Sequence, residues 1–210
     1  IAIVLRDLDY PDDPIQWEDE HREALARDVR QRTKPIVVAA NKIDIAPEEN
    51  VERLLELDKP VIPTTAEGEL ALRRAADNDL IDYDPGDETI EIGDDVSDAQ
   101  RTALEELADT MAEWNGTGVQ AALDHAVYDL LEHITAYPVE DAAKWSDGSG
   151  NILPDAFLLP DGSTPVDLAY AVHSDIGDGY LHAVNAKSNR EVGEDYELEE
   201  GDVIKIVSTN

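Results

Sequence analysis

Two short apolar runs, both rich in β-branched residues, constrain the fold of the first half of the chain. Residues 36–40 (Ile-Val-Val-Ala-Ala) and 60–65 (Pro-Val-Ile-Pro-Thr-Thr) are each of strand length, and continuous apolar runs indicate strands buried on both faces. A helix that begins at Pro47, with acidic residues in its first turn, is predicted between them. Another is predicted from Glu67 to Ala76. The order strand, helix, strand, helix predicts a parallel α/β sheet.

Further helices are predicted from apolar residues spaced three or four apart. One runs from Gln16 to Arg32, and the stretch Tyr83–Gly93 is predicted to be an irregular connection. Residues 97–136 are predicted to form an antiparallel helical pair, in which a capping box at Ser97 starts the first helix. The helix after Pro47 is predicted to bury Val51, Leu54 and Leu55. The second helix of the pair is predicted to bury Val119, Leu123, Val127, Leu130 and Ile134.

The sequence changes character near residue 136, where we place a domain boundary. Residues 137–210 combine short apolar runs with glycine turns and one strong helix start at Thr164, followed by Pro165. Strands are predicted at Tyr137–Asp141, Ala156–Leu159, Leu181–Asn185 and Val203–Val207. One helix on a small mixed sheet predicts an α+β domain of the β-grasp type. The predicted domains are therefore 1–136 and 137–210.

Acidic residues dominate the charge of the whole chain. There are 49 acidic residues against 16 basic ones, which gives a formal net charge of −33. A disordered acidic tail would be poor in apolar residues, whereas 42% of this chain is hydrophobic and the acids are spread throughout. A second interpretation of the acidic composition is a surface that binds a basic partner. We favour adaptation to molar salt, in which the Debye length falls to about 3 Å and self-repulsion is muted.

Several classes of protein and site are disfavoured by composition. The chain has no cysteine, which excludes disulfides and thiolate metal sites. No apolar run approaches the length of a membrane span, so we expect a cytoplasmic protein. The chain opens with Ile1 inside an apolar run, residues 1–5, and we expect that residue 1 is not the natural start. The histidines and acid pairs show no spacing typical of metal ligands, and no catalytic residue is assigned.

Residues 41–44 (Asn-Lys-Ile-Asp) follow directly on the first predicted strand. Ligands of open α/β sheets lie at the carboxyl ends of the strands. The Asp44 carboxylate can accept from N1–H and the exocyclic amine of guanine, groups that adenine lacks at those positions. The Asn41 amide can bond N7, and the Lys42 stem can lie across the base. The alternative is an ordinary polar loop, but the flanking strand and helix favour guanine binding.

Thr65 and Ala66 follow the second predicted strand. Their backbone N–H groups are expected at the same edge of the sheet, where they can meet the guanine O6. The sequence thus predicts a base-binding site formed by Asn41, Lys42, Asp44, Thr65 and Ala66.

These motifs resemble known families when taken in order. Asn-Lys-x-Asp after a strand resembles the base-specificity motif of TRAFAC-class GTPases, and Thr65-Ala66 resembles their second guanine loop. Residues 159–169 (Leu-Pro-Asp-Gly-Ser-Thr-Pro-Val-Asp-Leu-Ala) resemble the signature of TGS domains. Together with the strings at residues 34–37, 116–120, 192–198 and 202–207, they make nearly the whole chain similar to archaeal-type Obg-like (YchF-related) GTPases.

The resemblance implies an α/β partial P-loop GTPase domain with a helical pair, followed by a β-grasp TGS domain. It implies GTP or GDP as the ligand and a ribosome, RNA or translation partner for the TGS domain. The phosphate-binding motif GxxxxGK[ST] and a switch Asp-x-x-Gly ahead of Asn41 are absent from the sequence. Phosphate and Mg²⁺ binding need those parts, so this chain alone is expected to bind GTP poorly and not to hydrolyse it.

Two other functions stay open. A non-catalytic TGS-containing adaptor that binds RNA or protein would have the same C-terminal domain without nucleotide binding. A fragment of an aminoacyl-tRNA or (p)ppGpp synthetase is disfavoured because the TGS-like stretch comes last in this chain.

Overall fold

The computed structural model describes residues 16–209, which divide into two compact units at Ala126/Val127. The first unit contains five α-helices and four short strands within its described part. They are α1 (Asp19–Thr33), β1 (Val38–Asn41), α2 (Glu48–Leu55), β2 (Val61–Thr64), α3 (Ala66–Ala76), β3 (Ile81–Asp82), β4 (Glu91–Ile92), α4 (Asp98–Trp114) and α5 (Val119–Asp124). The apolar run at residues 1–5 lies outside the described residues.

Strands β1 and β2 pair in parallel, as the sequence predicts. Their register runs from Val38 opposite Val61 to Asn41 opposite Thr64, so both strands end at the same edge. Helix α5 packs on both strands and α2 packs on β2. Two parallel strands with adjoining helices confirm the predicted α/β class.

The main core of the first unit is formed by residues outside this strand pair. Its buried members come from α3, α4 and the segment between them: Leu72, Ile81, Tyr83, Leu104 and Met111. Helix α4 begins with the predicted capping box, in which the Ser97 hydroxyl accepts from the Gln100 N–H. It ends at Asn115, whose φ of 61° is left-handed, a conformation that asparagine tolerates at helix ends.

Three expectations for the first unit are wrong. The segment predicted to be irregular, Tyr83–Gly93, contains strand β4, which pairs in antiparallel fashion with β3 just ahead of the segment, so that Ile81 is opposite Ile92. Only Val51 of the predicted face of α2 is buried, because Leu54 and Leu55 are 37% and 46% exposed. The second helix of the predicted pair is not continuous to Ile134.

That second helix divides into two pieces before a strand begins. Helix α5 ends at Asp124, a π-helical segment follows at His125–Leu130, and strand β5 starts at His133. Ile134 is buried in that strand rather than on a helix. The predicted boundary near residue 136 therefore falls inside β5.

The second unit is a mixed five-stranded sheet with two short helices. Its elements are β5 (His133–Val139), β6 (Phe157–Pro160), α6 (Pro165–Val172), α7 (Ser174–Asp178), β7 (Tyr180–Asn185), β8 (Arg190–Val192) and β9 (Asp202–Ser208). The strand order is β6-β5-β9-β7-β8, with β5 and β9 parallel in the middle. This order and the covering helix α6 confirm the predicted β-grasp fold.

The core of the second unit lies between α6 and the sheet. Its fully buried members include Ala136, Leu168, Ala183 and Ile204. Helix α6 begins as predicted, because the Thr164 hydroxyl accepts from the Asp167 N–H, Asp167 reaches back to the Thr164 N–H, and Pro165 is the first helical residue. Between residues 16 and 209, no helix has both the length and the apolar character needed to cross a bilayer.

Candidate functional site

The predicted base-binding residues of the first unit lie at one edge of its parallel strand pair. Asn41 ends β1 and Thr64 ends β2, and these two residues are opposite each other in the register. The loop after β1 carries Lys42 and Asp44, and the loop after β2 carries Thr65 and Ala66. The structure therefore brings the two predicted segments side by side, at the carboxyl ends of the strands where α/β sheets bind ligands.

One side-chain oxygen joins the two loops. Asn41 Oδ1 accepts from the Lys42 N–H at 2.9 Å and from the Ala66 N–H at 3.0 Å, across 25 residues of sequence. The oxygen is fully used by these two donors. The Asn41 amide nitrogen has no acceptor among residues 16–209, and the side chain is exposed. Its two N–H donors therefore remain free to meet a ligand.

Lys42 has an uncommon backbone conformation. Its φ is 75°, in the left-handed region, which costs a non-glycine residue on the order of 1 kcal/mol. The Lys42 carbonyl accepts from the Ile45 and Ala46 N–H groups at 3.2 and 2.9 Å, and the Ile43 N–H donates to the Thr64 carbonyl at 3.2 Å. These bonds hold the loop against β2 and maintain the left-handed turn. Non-glycine residues in this conformation are enriched at functional sites.

Asp44 follows the buried Ile43 and is itself exposed. No hydrogen-bond donor or cation pairs with its carboxylate within the described part of the chain. A carboxylate at a sheet edge with both oxygens open can accept two parallel N–H donors from a ligand.

Thr65 and Ala66 begin helix α3. Thr65 is 1% exposed, and its hydroxyl caps the helix by accepting from the Gly68 N–H at 3.2 Å. The Thr65 N–H donates to the Thr117 carbonyl at 2.9 Å, and the Ala66 N–H donates to Asn41. Both N–H groups that were expected to face a ligand thus have acceptors within the protein. The next N–H of the helix, that of Glu67, has no acceptor among the residues described.

The turn at residues 116–118 (Gly-Thr-Gly) lies directly on the end of β2. A Cβ at Gly118 would lie 1.8 Å from the Pro63 carbonyl oxygen, and the φ of Gly118 is 74°. Only glycine permits this approach. The sequence analysis used this segment for family resemblance alone and gave it no role at the site. Two glycines within three residues, ahead of a helix, were the signal that could have identified it.

A buried carboxylate stands behind the second loop. Glu69 of α3 is 4% exposed, and it accepts from Tyr83 Oη at 2.6 Å, Thr117 Oγ1 at 2.5 Å and Arg73 Nε at 2.5 Å. Burial raises the pKa of the Glu69 carboxyl, but the hydrogen bonds from Thr117, Tyr83 and Arg73 outweigh burial and hold that pKa below its usual value. Glu69 is therefore an anion at neutral pH.

Tyr83 is one of the three residues that donate a hydrogen bond to Glu69. Burial, together with its hydrogen bond to Glu69, raises the pKa of Tyr83 to about 12. The phenol consequently stays protonated and donates to the carboxylate. Sequence reasoning missed Glu69, Tyr83 and Thr117, because nothing in the local pattern shows that residues 48 positions apart will share a hydrogen bond.

Two family profiles match the chain, one mostly over the first unit and the other within the second unit. The G4-motif-containing domain of YGR210-like Obg-like GTPases matches residues 39–141, which include the candidate site, and the TGS domain matches residues 149–208.

Known proteins match over most of the chain. An uncharacterized GTP-binding protein of Methanocaldococcus jannaschii is 44% identical over 211 residues, which cover 99% of this chain and 53% of that protein. A crystal structure of a GTP-binding protein from Pyrococcus horikoshii superposes with a TM-score of 0.73 at 40% identity, covering 99% of this chain and 56% of the other. This chain therefore spans about half the length of each.

A local match is also found. A guanosine-3′,5′-bis(diphosphate) 3′-pyrophosphohydrolase of Aquifex aeolicus is 51% identical over 55 residues, which are 26% of this chain and 8% of that protein. So short a match shows a shared segment and not a shared enzyme. The profiles over both units and the nearly full-length matches agree, and the chain belongs to the YGR210-like Obg-like GTPases, of which it carries the G4-motif domain followed by a TGS domain.

Proposed function

We propose that this chain is the guanine-reading part of a GTP-binding protein, with GTP and GDP as its ligands. Asp44 accepts from N1–H and the exocyclic amine of guanine. The free amide N–H of Asn41 donates to N7, and the stem of Lys42 lies against the ring. Because a carboxylate opposite adenine would lose its donors, discrimination against adenine should be on the order of 10⁴-fold.

The observation that carries this proposal is the double acceptance by Asn41 Oδ1. It joins the loop that bears Asp44 to the loop that bears Ala66, so the groups meant for two edges of one base are held together before the base arrives. Such pre-organisation lowers the entropic cost of binding.

Thr65 and Ala66 complete the site at the O6 side of the base. The Ala66 N–H already donates to Asn41, so O6 either shares that donor or takes the neighbouring Glu67 N–H. Both groups lie in the first turn of α3, where the helix dipole favours a partial negative charge such as O6.

Hydrolysis of GTP is proposed for the whole protein and not for this chain alone. The sequence contains no phosphate-binding glycine loop, and phosphoryl transfer depends on such a loop, on Mg²⁺ and on a positioned water. We propose that the remainder of the longer protein supplies them. The 210 residues alone then bind guanine nucleotides weakly, since the phosphates contribute much of the affinity.

The TGS unit is proposed to dock the protein to a ribosome, an RNA or another translation partner in the cytoplasm. The family match supports this proposal, and so do large apolar side chains on the surface of this unit, where Leu158 and Leu181 are 55% and 58% exposed. Co-sedimentation of this chain with ribosomes in molar salt tests it. If the protein stays in the supernatant at every ribosome concentration, ribosome docking is contradicted.

We also propose that the acidic surface is an adaptation to molar salt. The formal net charge of −33 is spread over both units, and an acidic patch for one partner would be confined to one face. The alternative of a non-catalytic adaptor predicts the same surface and differs only in lacking nucleotide binding.

Asp44→Asn tests the guanine site. Xanthine carries a carbonyl where guanine carries its amine, so the asparagine amide can donate to it. We expect the substitution to weaken GTP binding at least tenfold and to leave or improve binding of xanthosine triphosphate, both followed by NMR titration. A variant that loses both nucleotides equally, or neither, would contradict the assignment of Asp44.

A further inference from the structure

The buried carboxylate of Glu69 lies one turn into α3, behind the loop that begins this helix. The structure gives it three donors from three different parts of the first unit: Arg73 on the same helix, Tyr83 after β3, and Thr117 in the turn before α5. A buried charge is tolerated only when hydrogen bonds replace its lost hydration. The geometry of Glu69 therefore depends on all three partners and in turn fixes them.

Thr117 is bound on two sides. Its hydroxyl donates to Glu69 at 2.5 Å, and its backbone carbonyl accepts from the Thr65 N–H at 2.9 Å. The neighbouring Gly118 lies against the Pro63 carbonyl, where no side chain fits. The Thr117 carbonyl is thereby held at one place relative to the end of β2.

This carbonyl sets the position of the second loop. The Thr65 N–H points at it, and the next N–H, that of Ala66, points at Asn41 Oδ1. Hydrogen bonds thus connect Glu69 to Thr117, Thr117 to Thr65, and Ala66, the next residue of the chain, to Asn41.

We propose that Glu69 and Thr117 are positioning residues for the guanine site: they touch no nucleotide, but they hold the Thr65–Ala66 loop and, through it, Asn41 in the geometry that reads the base. This inference rests on the proposed function. Loss of the Thr117 hydroxyl would loosen the loop without removing any group that contacts the base.

Thr117→Val removes the hydroxyl and keeps the shape, and Thr117→Ser keeps the hydroxyl. Thr135→Val is a matched control, because Thr135 is also buried and its hydroxyl is also hydrogen-bonded, to Tyr128 at 3.0 Å in the second unit. Amide hydrogen exchange of Thr65 and Ala66 reports on the loop. The Leu80 amide, bonded to the Ala75 carbonyl in the same unit, is the internal reference.

We expect exchange at Thr65 and Ala66 to accelerate about tenfold in Thr117→Val, with Leu80 unchanged. Affinity for GDP, titrated into this chain, should fall about tenfold in that variant. Thr117→Ser should restore both quantities, and Thr135→Val should change neither.

The inference alone would be overturned by unchanged exchange in Thr117→Val, or by faster exchange with unchanged GDP affinity. A uniform acceleration that includes Leu80 would show a structural role instead and would also overturn it. If the unsubstituted chain shows no GDP-dependent shift at these amides, the proposed function itself fails, and the positioning role fails with it.

Discussion

Asn41 shows how much one side chain determines at the residue scale. Its oxygen accepts two backbone donors, and its amide nitrogen has no acceptor among residues 16–209. These two bonds add to the backbone bond from the Ile43 N–H to the Thr64 carbonyl, which also joins the two segments. The left-handed Lys42 turn then presents Asp44 beyond the edge of the sheet.

Gly118→Ala should destabilise the first unit through a steric clash. The added Cβ would lie 1.8 Å from the Pro63 oxygen, so β2 or the turn must shift. We expect a loss of about 3 kcal/mol or more in the free energy of unfolding, measured by chemical denaturation in molar salt. Gly86→Ala is the control: its φ is also positive, but its Cβ would meet only the Gln120 side chain at 3.2 Å. We expect Gly86→Ala to lower the free energy of unfolding by about 1 kcal/mol. Equal losses would contradict the close packing of Gly118.

The pKa of Tyr83 predicts a pH dependence at alkaline pH. Its folded-state pKa of about 12 is above the ordinary tyrosine pKa of 10.0. The contribution to stability is therefore complete below pH 10 and is lost as the pH rises towards 12. Between pH 9 and pH 11 the native chain should lose about 1.4 kcal/mol more than Tyr83→Phe, by the one-unit linkage value. Chemical denaturation at both pH values measures the difference. Identical pH profiles would show that Tyr83 is not buried against Glu69.

Some residues of the candidate site could be predicted from the local sequence and others could not. Asn41, Lys42 and Asp44 could be identified because a buried strand precedes them, and strand ends are where such sites form. Their contacts to guanine remain a prediction. Glu69 and Thr117 carry no local pattern, since their meeting is produced by the packing of α3 on the turn before α5. The internal use of the Thr65 and Ala66 N–H groups depends on the same packing.

At the scale of elements, helix starts are encoded most locally. The Thr164 capping box satisfies N–H groups at the start of α6, whose face includes the fully buried Leu168 and Ala169. Thr164→Ala should lower the stability of the second unit by about 1 kcal/mol, measured by denaturation with a probe in that unit. Asp161→Ala, in the turn before the helix, is an exposed control that should cost less. A larger loss at Asp161 than at Thr164 would contradict the capping role.

Strands whose partners are distant in the sequence could not be predicted from the spacing of apolar residues. Ile134 continues the helical spacing of Leu130, yet it lies in β5. The reason is that β5 lies between β6, where Ile134 is opposite Leu159, and β9, where Ala136 is opposite Asp202, and burial between two strands outweighs local propensity. The short β3–β4 pairing was missed for the same reason, because each strand has only two residues.

At the scale of the whole molecule, charge is the dominant property. With 49 acidic and 16 basic residues, repulsion between carboxylates opposes folding unless salt screens it. We expect the chain to unfold when salt is diluted below about 0.5 M, where the Debye length grows past the spacing of neighbouring charges. Circular dichroism against KCl concentration measures this, with sucrose as a non-ionic control. A melting temperature that does not depend on salt would contradict salt adaptation.

The family match identifies the domains of this chain but does not show which of its side chains contact a ligand. The relatives are about twice as long, and this chain carries the G4-motif domain followed by the TGS domain. All of the side chains that we propose to contact the base belong to this chain, whereas phosphate binding is proposed for the remainder of the longer protein.

The most direct test of that claim is a titration of the ¹⁵N-labelled chain in molar KCl with guanosine and, separately, with adenosine. Nucleosides carry no phosphate, so the test isolates the base. We predict that guanosine shifts the amide signals of Asn41, Lys42, Asp44, Ala66 and Glu67 in a saturable way, whereas adenosine at equal concentration does not. Equal shifts with both nucleosides, or no localised shift with guanosine, would contradict a guanine-reading site.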